Sequence, residues 1–287
     1  MTRARVNGLS ISYELIGTTG QPWAVTPGGR YSKDDPGIRE LATELARTGR
    51  RVLIWDRPNT GASDVCFEGA SESEMQADTL AALIRHLDLG PTVIAGGSGG
   101  SRVSLLTAAR HRDITAGLAI WWLTGGVYGL MSLAVHYAGG SFTAAWRDGM
   151  EAVAALPEWA VPIERNPGNR QRILDQDRGE FLATMERWMA VYCPREGELV
   201  PGVPDADVRK LDVPALVLRS GESDRHHRRE TSERIAELLP RAVLREPPWG
   251  DTEWEDRHTP EAQKEGLFFR WPLLAPMLVA WADEALG

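Results

Sequence analysis

Gly96-Gly97-Ser98-Gly99-Gly100 is the segment of this chain best suited to covalent chemistry. It fits G-x-S-x-G, directly after the apolar run Thr92-Val93-Ile94-Ala95 and directly before a stretch with helical spacing. A serine at a sharp strand-to-helix turn projects its hydroxyl clear of the backbone, and flanking glycines let neighbouring segments pack closely there. The pentapeptide alone also describes an ordinary tight βα turn. Its strand–turn–helix setting makes Ser98 the expected nucleophile. A nucleophile of this kind needs a base within reach and donors aimed at the developing oxyanion. The N–H of Gly99, at the start of the following helix with its dipole behind it, suits the second task.

These residues need a scaffold, and the hydrophobic pattern supplies one. Strands are expected at Leu9–Leu15, Trp23–Thr26, Arg51–Trp55, Thr92–Ala95 and Ala116–Leu123. Helical spacing separates them at Ile38–Arg47, at about Glu72–Leu87 and at about Gly99–His111. Strands alternating with helices imply a parallel sheet with crossover helices. From Thr124 to about Ala206 the strand signal disappears. Helical stretches at Phe142–Ala155 and Glu180–Tyr192 are expected to be broken by Pro157, Pro162, Pro167 and Pro194. The alternation then resumes with strand Ala215–Arg219, helix Arg228–Leu239, strand Ala242–Arg245 and a last helix from about Leu273 to Ala285.

Composition narrows the function classes. With 287 residues, the chain has room for one large α/β domain carrying an insertion. The net charge of −8 and the lack of a basic stripe argue against nucleic-acid binding. Cys66 and Cys193 are too few and too far apart for a disulfide framework, so a reducing cytoplasm is expected. The N-terminal residues lack the apolar core of a secretory signal. Ile114–Trp146 contains no charged residue, but glycine pairs interrupt it and His136 lies within it; a buried strand and a short apolar helix are expected, not a membrane span. No metal is expected, since no His, Cys or carboxylate cluster has ligand spacing. No nucleotide cofactor is expected, since the glycine-rich turn lacks a phosphate-loop lysine.

Three further segments extend the picture. Asp56-Arg57-Pro58-Asn59-Thr60-Gly61-Ala62-Ser63 is similar to the D-x-R-G-x-G-x-S turn of the α/β-hydrolase superfamily. Pro27-Gly28-Gly29 stands where members often carry His-Gly-Gly at the oxyanion loop, and Leu216–Asp224 is similar to the segment ending in the triad aspartate. Together with the serine turn, the chain resembles that superfamily over roughly 8–123 and 207–287. The resemblance implies an α/β-hydrolase fold with a core of 1–123 and 207–287 and a helical cap at 124–206. It implies Ser98 as nucleophile, Asp224 as acid, and N–H donors from Gly99 and from Gly29, or Arg30 if the loop register differs by one. Asp224 also has a plainer role open to it, as N-cap of the next helix.

The base is where this chain departs from the pattern. Family members place a histidine shortly after the last strand; here that position holds Asp251. His258, seven residues later and just before Thr259-Pro260, is the leading candidate if a long loop swings it in. His227, three residues after Asp224, is the alternative base. Asp251 could act only if burial raised its pKa. His86, His111 and His136 are expected to be structural.

The insertion is rich in large apolar side chains, among them Trp146, Trp159 and Trp188, and most should pack its own interior. An apolar lid over an acyl-transfer site nonetheless favours a small hydrophobic or aromatic substrate. Arg30, Trp122 and Trp249 are the expected substrate contacts. The resulting expectation is a cofactor-independent serine hydrolase acting on a small hydrophobic ester, lactone or C–C substrate. With the usual histidine position occupied by Asp251, two rivals stay open: a lyase or cofactor-free oxygenase on the same fold, or a ligand-binding protein. The oligomeric state is not fixed by the sequence; a homodimer is compatible with it.

Overall fold

The computed structural model describes residues 2–287. Eight strands form one sheet in the order β1-β2-β4-β3-β5-β6-β7-β8. They are β1 (Thr2–Val6), β2 (Leu9–Ile16), β3 (Pro22–Thr26), β4 (Arg51–Trp55), β5 (Thr92–Gly97), β6 (Thr115–Trp121), β7 (Ala215–Leu218) and β8 (Ala242–Arg245). β2 runs antiparallel to β1 and β4; every other neighbouring pair is parallel. The central strands β3, β5 and β7 are buried along their whole length, as sandwiching between helices on both faces requires. β1 is an element the sequence reading did not contain. It pairs with β2 through a turn whose two residues, Asn7 and Gly8, both have positive φ (50° and 76°), the twist-matched geometry of two-residue hairpins.

Helices α1 (Ile38–Arg47), α2 (Glu72–His86) and α3 (Gly99–Arg110) connect the parallel strands. One apolar core lies on the face covered by α2 and α3 and includes Leu53, Leu80, Ile94, Val103 and Leu118. The second lies under α1 and the C-terminal helix and includes Val25, Ile38, Leu41, Ile54 and Trp281. Because β3 lies between β4 and β5, the crossover through α1 and the one through α2 run in opposite directions across the sheet. The carboxyl ends of β3 and β5 therefore border the crevice where open α/β sheets bind ligands.

Between β6 and β7 the chain contributes helices and two isolated bridges, with no strand in the sheet. They are α4 (Gly126–Ala134), α5 (Gly140–Asp148), α6 (Met150–Ala154), α7 (Pro157–Arg165), α8 (Gly168–Leu174), α9 (Arg178–Val191) and α10 (Asp205–Val208). A π-helical turn, Val135–Gly139, joins α4 to α5. Their shared core contains Trp159, Phe181, Met185 and Trp188, with Phe67 from the loop after β4 inserted among them. The single helix expected over Phe142–Ala155 is two helices, divided at Gly149 with φ 84°. Pro162 does not break a helix but sits inside α7. Its missing N–H forfeits one helical bond, to the Glu158 carbonyl, and the helix continues to Arg165.

After β7 come α11 (Arg229–Leu238), then β8, α12 (Glu253–Asp256), α13 (Pro260–Gln263) and α14 (Ala275–Leu286). No helix among the described residues is long and apolar enough to cross a membrane.

Candidate active site

Ser98 sits between the end of β5 and the first turn of α3, with φ 57° and ψ −125°. Non-glycine residues rarely adopt this region, and such strain concentrates at functional sites. Its N–H donates to the Trp121 carbonyl at the end of β6, while its carbonyl accepts from Ser101 inside α3. The turn is therefore tied on both sides, and the hydroxyl is what remains free to point outward.

The Ser98 hydroxyl lies 2.8 Å from Nε2 of His227. Nδ1 of His227 lies 2.7 Å from Oδ2 of Asp224. A carboxylate can only accept, so Nδ1 carries the proton toward Asp224 and Nε2 is left to accept from Ser98. Asp224 Oδ1 accepts the backbone N–H groups of His226 (3.0 Å) and His227 (2.9 Å). That turn curls the loop after β7 back on itself and presents the imidazole to its own carboxylate. Asp224 is not a helix cap; the N-cap position of α11 belongs to Arg228.

The electrostatics suit an ionised acid. Burial works to raise the Asp224 pKa, but the charge and hydrogen bonds of His227, together with the charge of Arg257, hold it below the ordinary carboxylate value. The His227 ring has Trp122 stacked at 6.2 Å and the Trp254 ring edge-on at 5.1 Å. These indoles shield the Nδ1–carboxylate bond from water. Arg257 lies over the Trp122 ring at 3.6 Å and the Trp254 ring at 4.4 Å, and it pairs with Glu253 at 2.6 Å. Both members of this ion pair are buried.

Facing the serine is the loop after β3. A methyl group at Gly28 would lie 2.5 Å from Ser98 Cβ and 2.9 Å from Gly99 N, so only glycine allows this approach. The carbonyls of Gly28 and Gly29 both accept from Nη2 of the buried Arg57, at 3.1 and 2.6 Å. With those carbonyls turned toward Arg57, the Gly29 N–H is free to face the serine turn. Gly29 N lies 3.4 Å from where a Gly99 side chain would begin, so the Gly29 and Gly99 amides border one small space beside Ser98. A pair of amides so placed can hold an oxyanion.

Similarity at the level of whole folds is extensive. The chain superposes on a thermophilic esterase from Thermogutta terrifontis with TM-score 0.62 and 22% identity, covering all of both chains. It superposes on an enol-lactonase from Burkholderia xenovorans LB400 with TM-score 0.59 and 20% identity, over 98% of this chain and 100% of the other. An alpha/beta hydrolase enzyme from a Medee basin deep-sea metagenome library matches with TM-score 0.58 and 17% identity, over 94% and 96% of the two chains. The chain has the α/β-hydrolase fold. No family model matches the sequence, and no curated protein aligns with it significantly.

Within this α/β-hydrolase fold, His258 does not come beside Ser98 as expected. His258 is exposed, and its Nδ1 bonds the Trp254 carbonyl at 2.6 Å. The short helix α12 holds it there, on the outer side of Trp254, while His227 occupies the place beside Ser98. Asp251 does not face the serine either: its carboxylate pairs with Arg229 at the surface, and its carbonyl accepts from Ser223. Arg30 was expected to meet substrate. Its guanidinium instead bonds Glu72 at 2.7 Å and the Tyr137 carbonyl at 2.8 Å, tying the β3 loop to the helices above it. Trp122 is buried against His227 and Arg257, whereas Trp249, tilted against it at 5.7 Å, is only partly covered. Among the described residues, no group of three or more His, Cys, Asp or Glu is arranged to hold a metal ion.

Arg57, Arg257 and Tyr137 escaped the sequence reading as site residues. Arg57 had a signal in the Asp56-x-Gly61 turn motif. Arg257 had none, since its place depends on two tryptophans from separate loops. A groove of about 600 Å³ opens on the outer side of the loop after β7, lined by residues including Tyr128, His226 and Trp254.

Proposed function

We propose that the chain is a serine hydrolase that works through an acyl-enzyme on Ser98. The observation that carries this reading is the continuous Ser98–His227–Asp224 relay, with bonds of 2.8 and 2.7 Å, facing two main-chain amides. His227 Nε2 takes the hydroxyl proton as Ser98 Oγ bonds to the carbonyl carbon. The N–H groups of Gly29 and Gly99 hold the resulting oxyanion, and His227 then returns the proton to the leaving alcohol. In the second half His227 deprotonates a water that attacks the acyl group, and Ser98 leaves with the proton. Asp224 keeps the imidazole in the required tautomer and stabilises its charged form.

The substrate class is a small hydrophobic or aromatic ester or lactone. Trp122 and Trp254 flank the imidazole, Trp249 packs on Trp122, and the helices of 124–206, read as a cap, reach the serine turn through Tyr137. Esterase and lactonase activities among the similar folds support this class. The lyase or oxygenase alternative rested on a missing base, and His227 at Ser98 favours hydrolysis over it.

Labelling with a fluorophosphonate, followed by peptide mass spectrometry, tests the reading. Expected are rapid modification of Ser98 in wild type, none in Ser98→Ala, and strongly slowed modification in His227→Ala. Failure of folded wild type to react, with p-nitrophenyl butyrate also untouched, would overturn it.

A further inference from the structure

We propose that the hydroxyl of Tyr137 is a third donor to the oxyanion, alongside the N–H groups of Gly29 and Gly99. This rests on the acyl-enzyme reading of Ser98. A methyl group at Gly99 would lie 2.7 Å from the Tyr137 hydroxyl oxygen and 3.4 Å from Gly29 N. The phenol therefore borders the same small space as the two amides. It is buried and has no hydrogen-bond partner within the protein. A buried hydroxyl left unpaired costs about 1–3 kcal/mol, so a fold that retains one at this spot calls for an acceptor there.

The backbone explains how a helix residue reaches the serine turn. Tyr137 lies in the π-helical turn between α4 and α5. Within this turn Val135 and His136 face outward while Tyr137 and Ala138 face the core. Single π turns of this kind recur at functional sites because they re-aim one side chain. The turn's Tyr137 carbonyl accepts from Arg30, the residue directly after Gly29. One short loop thus supplies an oxyanion amide and also anchors the residue carrying the phenol.

The surroundings favour negative charge on the acceptor. The guanidinium groups of Arg30 and Arg102 lie 5.5 and 5.6 Å from the centre of the Tyr137 ring, and Tyr192 stacks on it at 5.9 Å. Arg102 is itself buried and bonds only the neutral hydroxyls of Ser73 and Tyr192, with Nη1 unpartnered. Glu72 pairs with Arg30 and its charge also acts on Arg57, so one carboxylate is shared among several guanidinium groups. A phenol between cations is a stronger donor, and a developing oxyanion is stabilised by the same field.

The test compares wild type with Tyr137→Phe, using kinetics on p-nitrophenyl esters and binding of an aryl trifluoromethyl ketone that forms a hemiketal on Ser98. The expected result is a fall in kcat of about 10²-fold, with KM changed less than about twofold. Ketone affinity should fall in step with kcat/KM, a correlation that a merely structural role would not produce. A folded Tyr137→Phe protein that keeps wild-type kcat and ketone affinity overturns the proposal. If that variant does not fold, 3,5-difluorotyrosine at position 137 reads the same contact. The hemiketal pKa, followed by ¹³C NMR, should drop with the more acidic phenol, and an unchanged value overturns the proposal. Absence of fluorophosphonate labelling in wild type would sink the Ser98 reading itself, and this proposal with it. Labelling of Ser98 with full activity in Tyr137→Phe would remove only the phenol's role.

Discussion

His227 lies three residues beyond Asp224 on a single loop, and its Nδ1 returns to the Asp224 carboxylate at 2.7 Å. Both side chains therefore leave the sheet together, after β7, and on the proposed reading the loop after β8 need not supply a base. That second loop brings Trp254 edge-on to the imidazole and Arg257 over the Trp122 ring. Its job has become enclosure.

Ser98→Ala and His227→Ala should each lower kcat by about 10⁴-fold or more, and the double variant should be little worse than either, since the pair acts as one unit. His258→Ala and Asp251→Asn should stay within about twofold of wild type, as expected of exposed positions. Steady-state kinetics on p-nitrophenyl esters, with melting curves as a folding control, decide between the two histidines. A large loss at His258 alone would reverse the assignment.

Asp224→Asn should reduce kcat roughly 10³–10⁴-fold by letting the imidazole take the wrong tautomer. It should also loosen the loop, because Asp224 Oδ1 accepts two backbone N–H groups. Hydrogen exchange at His226 and His227 would report the second effect separately from activity.

Arg57→Lys should act on turnover more than on substrate binding. Arg57 holds the carbonyls of Gly28 and Gly29, and a lysine ammonium is a weaker match to both acceptors at once. A misplaced Gly29 amide should lower kcat roughly 10- to 100-fold. The measurement is kcat and KM resolved separately; a change confined to KM would contradict this account.

Arg257→Met should destabilise the fold by about 3–5 kcal/mol, because it leaves Glu253 buried without its cation. Burial already pushes the Glu253 carboxyl above its ordinary pKa, with Arg257 opposing that shift. Pairing the change with Glu253→Leu should restore much of the loss. Urea unfolding of both single variants and the double variant tests whether the losses are coupled in this way.

His226 carries a pH signature. Burial first, and then the charge of neighbouring His227, lower its pKa from the ordinary 6.5. The unfolded chain therefore binds a proton more readily than the folded one. Its contribution to stability is complete above about pH 6.5 and is lost as pH falls through the folded value. In His226→Asn, the drop in urea midpoint between pH 7 and pH 5 should be smaller than in wild type. An equal or larger drop would rule this out.

Much of the architecture was legible because it is local. The continuous apolar runs of β3, β4 and β5 and the period-3.6 runs of α1, α2 and α3 are imposed by the faces those elements bury, and β4, α1 and β8 fall on their expected bounds. The serine turn was equally legible, since glycine spacing between a strand and a helix is a short-range pattern. Asn7-Gly8 is a hairpin signal that went unread, and β1 pairs with β2 through it.

What only the tertiary structure decided is which distant groups meet. Ser98 and His227 are 129 residues apart, and nothing in either segment's periodicity measures that distance in space. His258 was the stronger choice along the chain because the family's order places the base after the last strand, yet the turn at Asp224 and the wall formed by Trp254 put His227 there instead. Tyr137 was less visible still. Its contact at Gly99 exists only once the helices over β3 and β5 have closed onto the sheet. Local sequence determines elements and turns because their energies are short-ranged; a catalytic constellation depends on how those elements pack, and packing is a property of the whole chain.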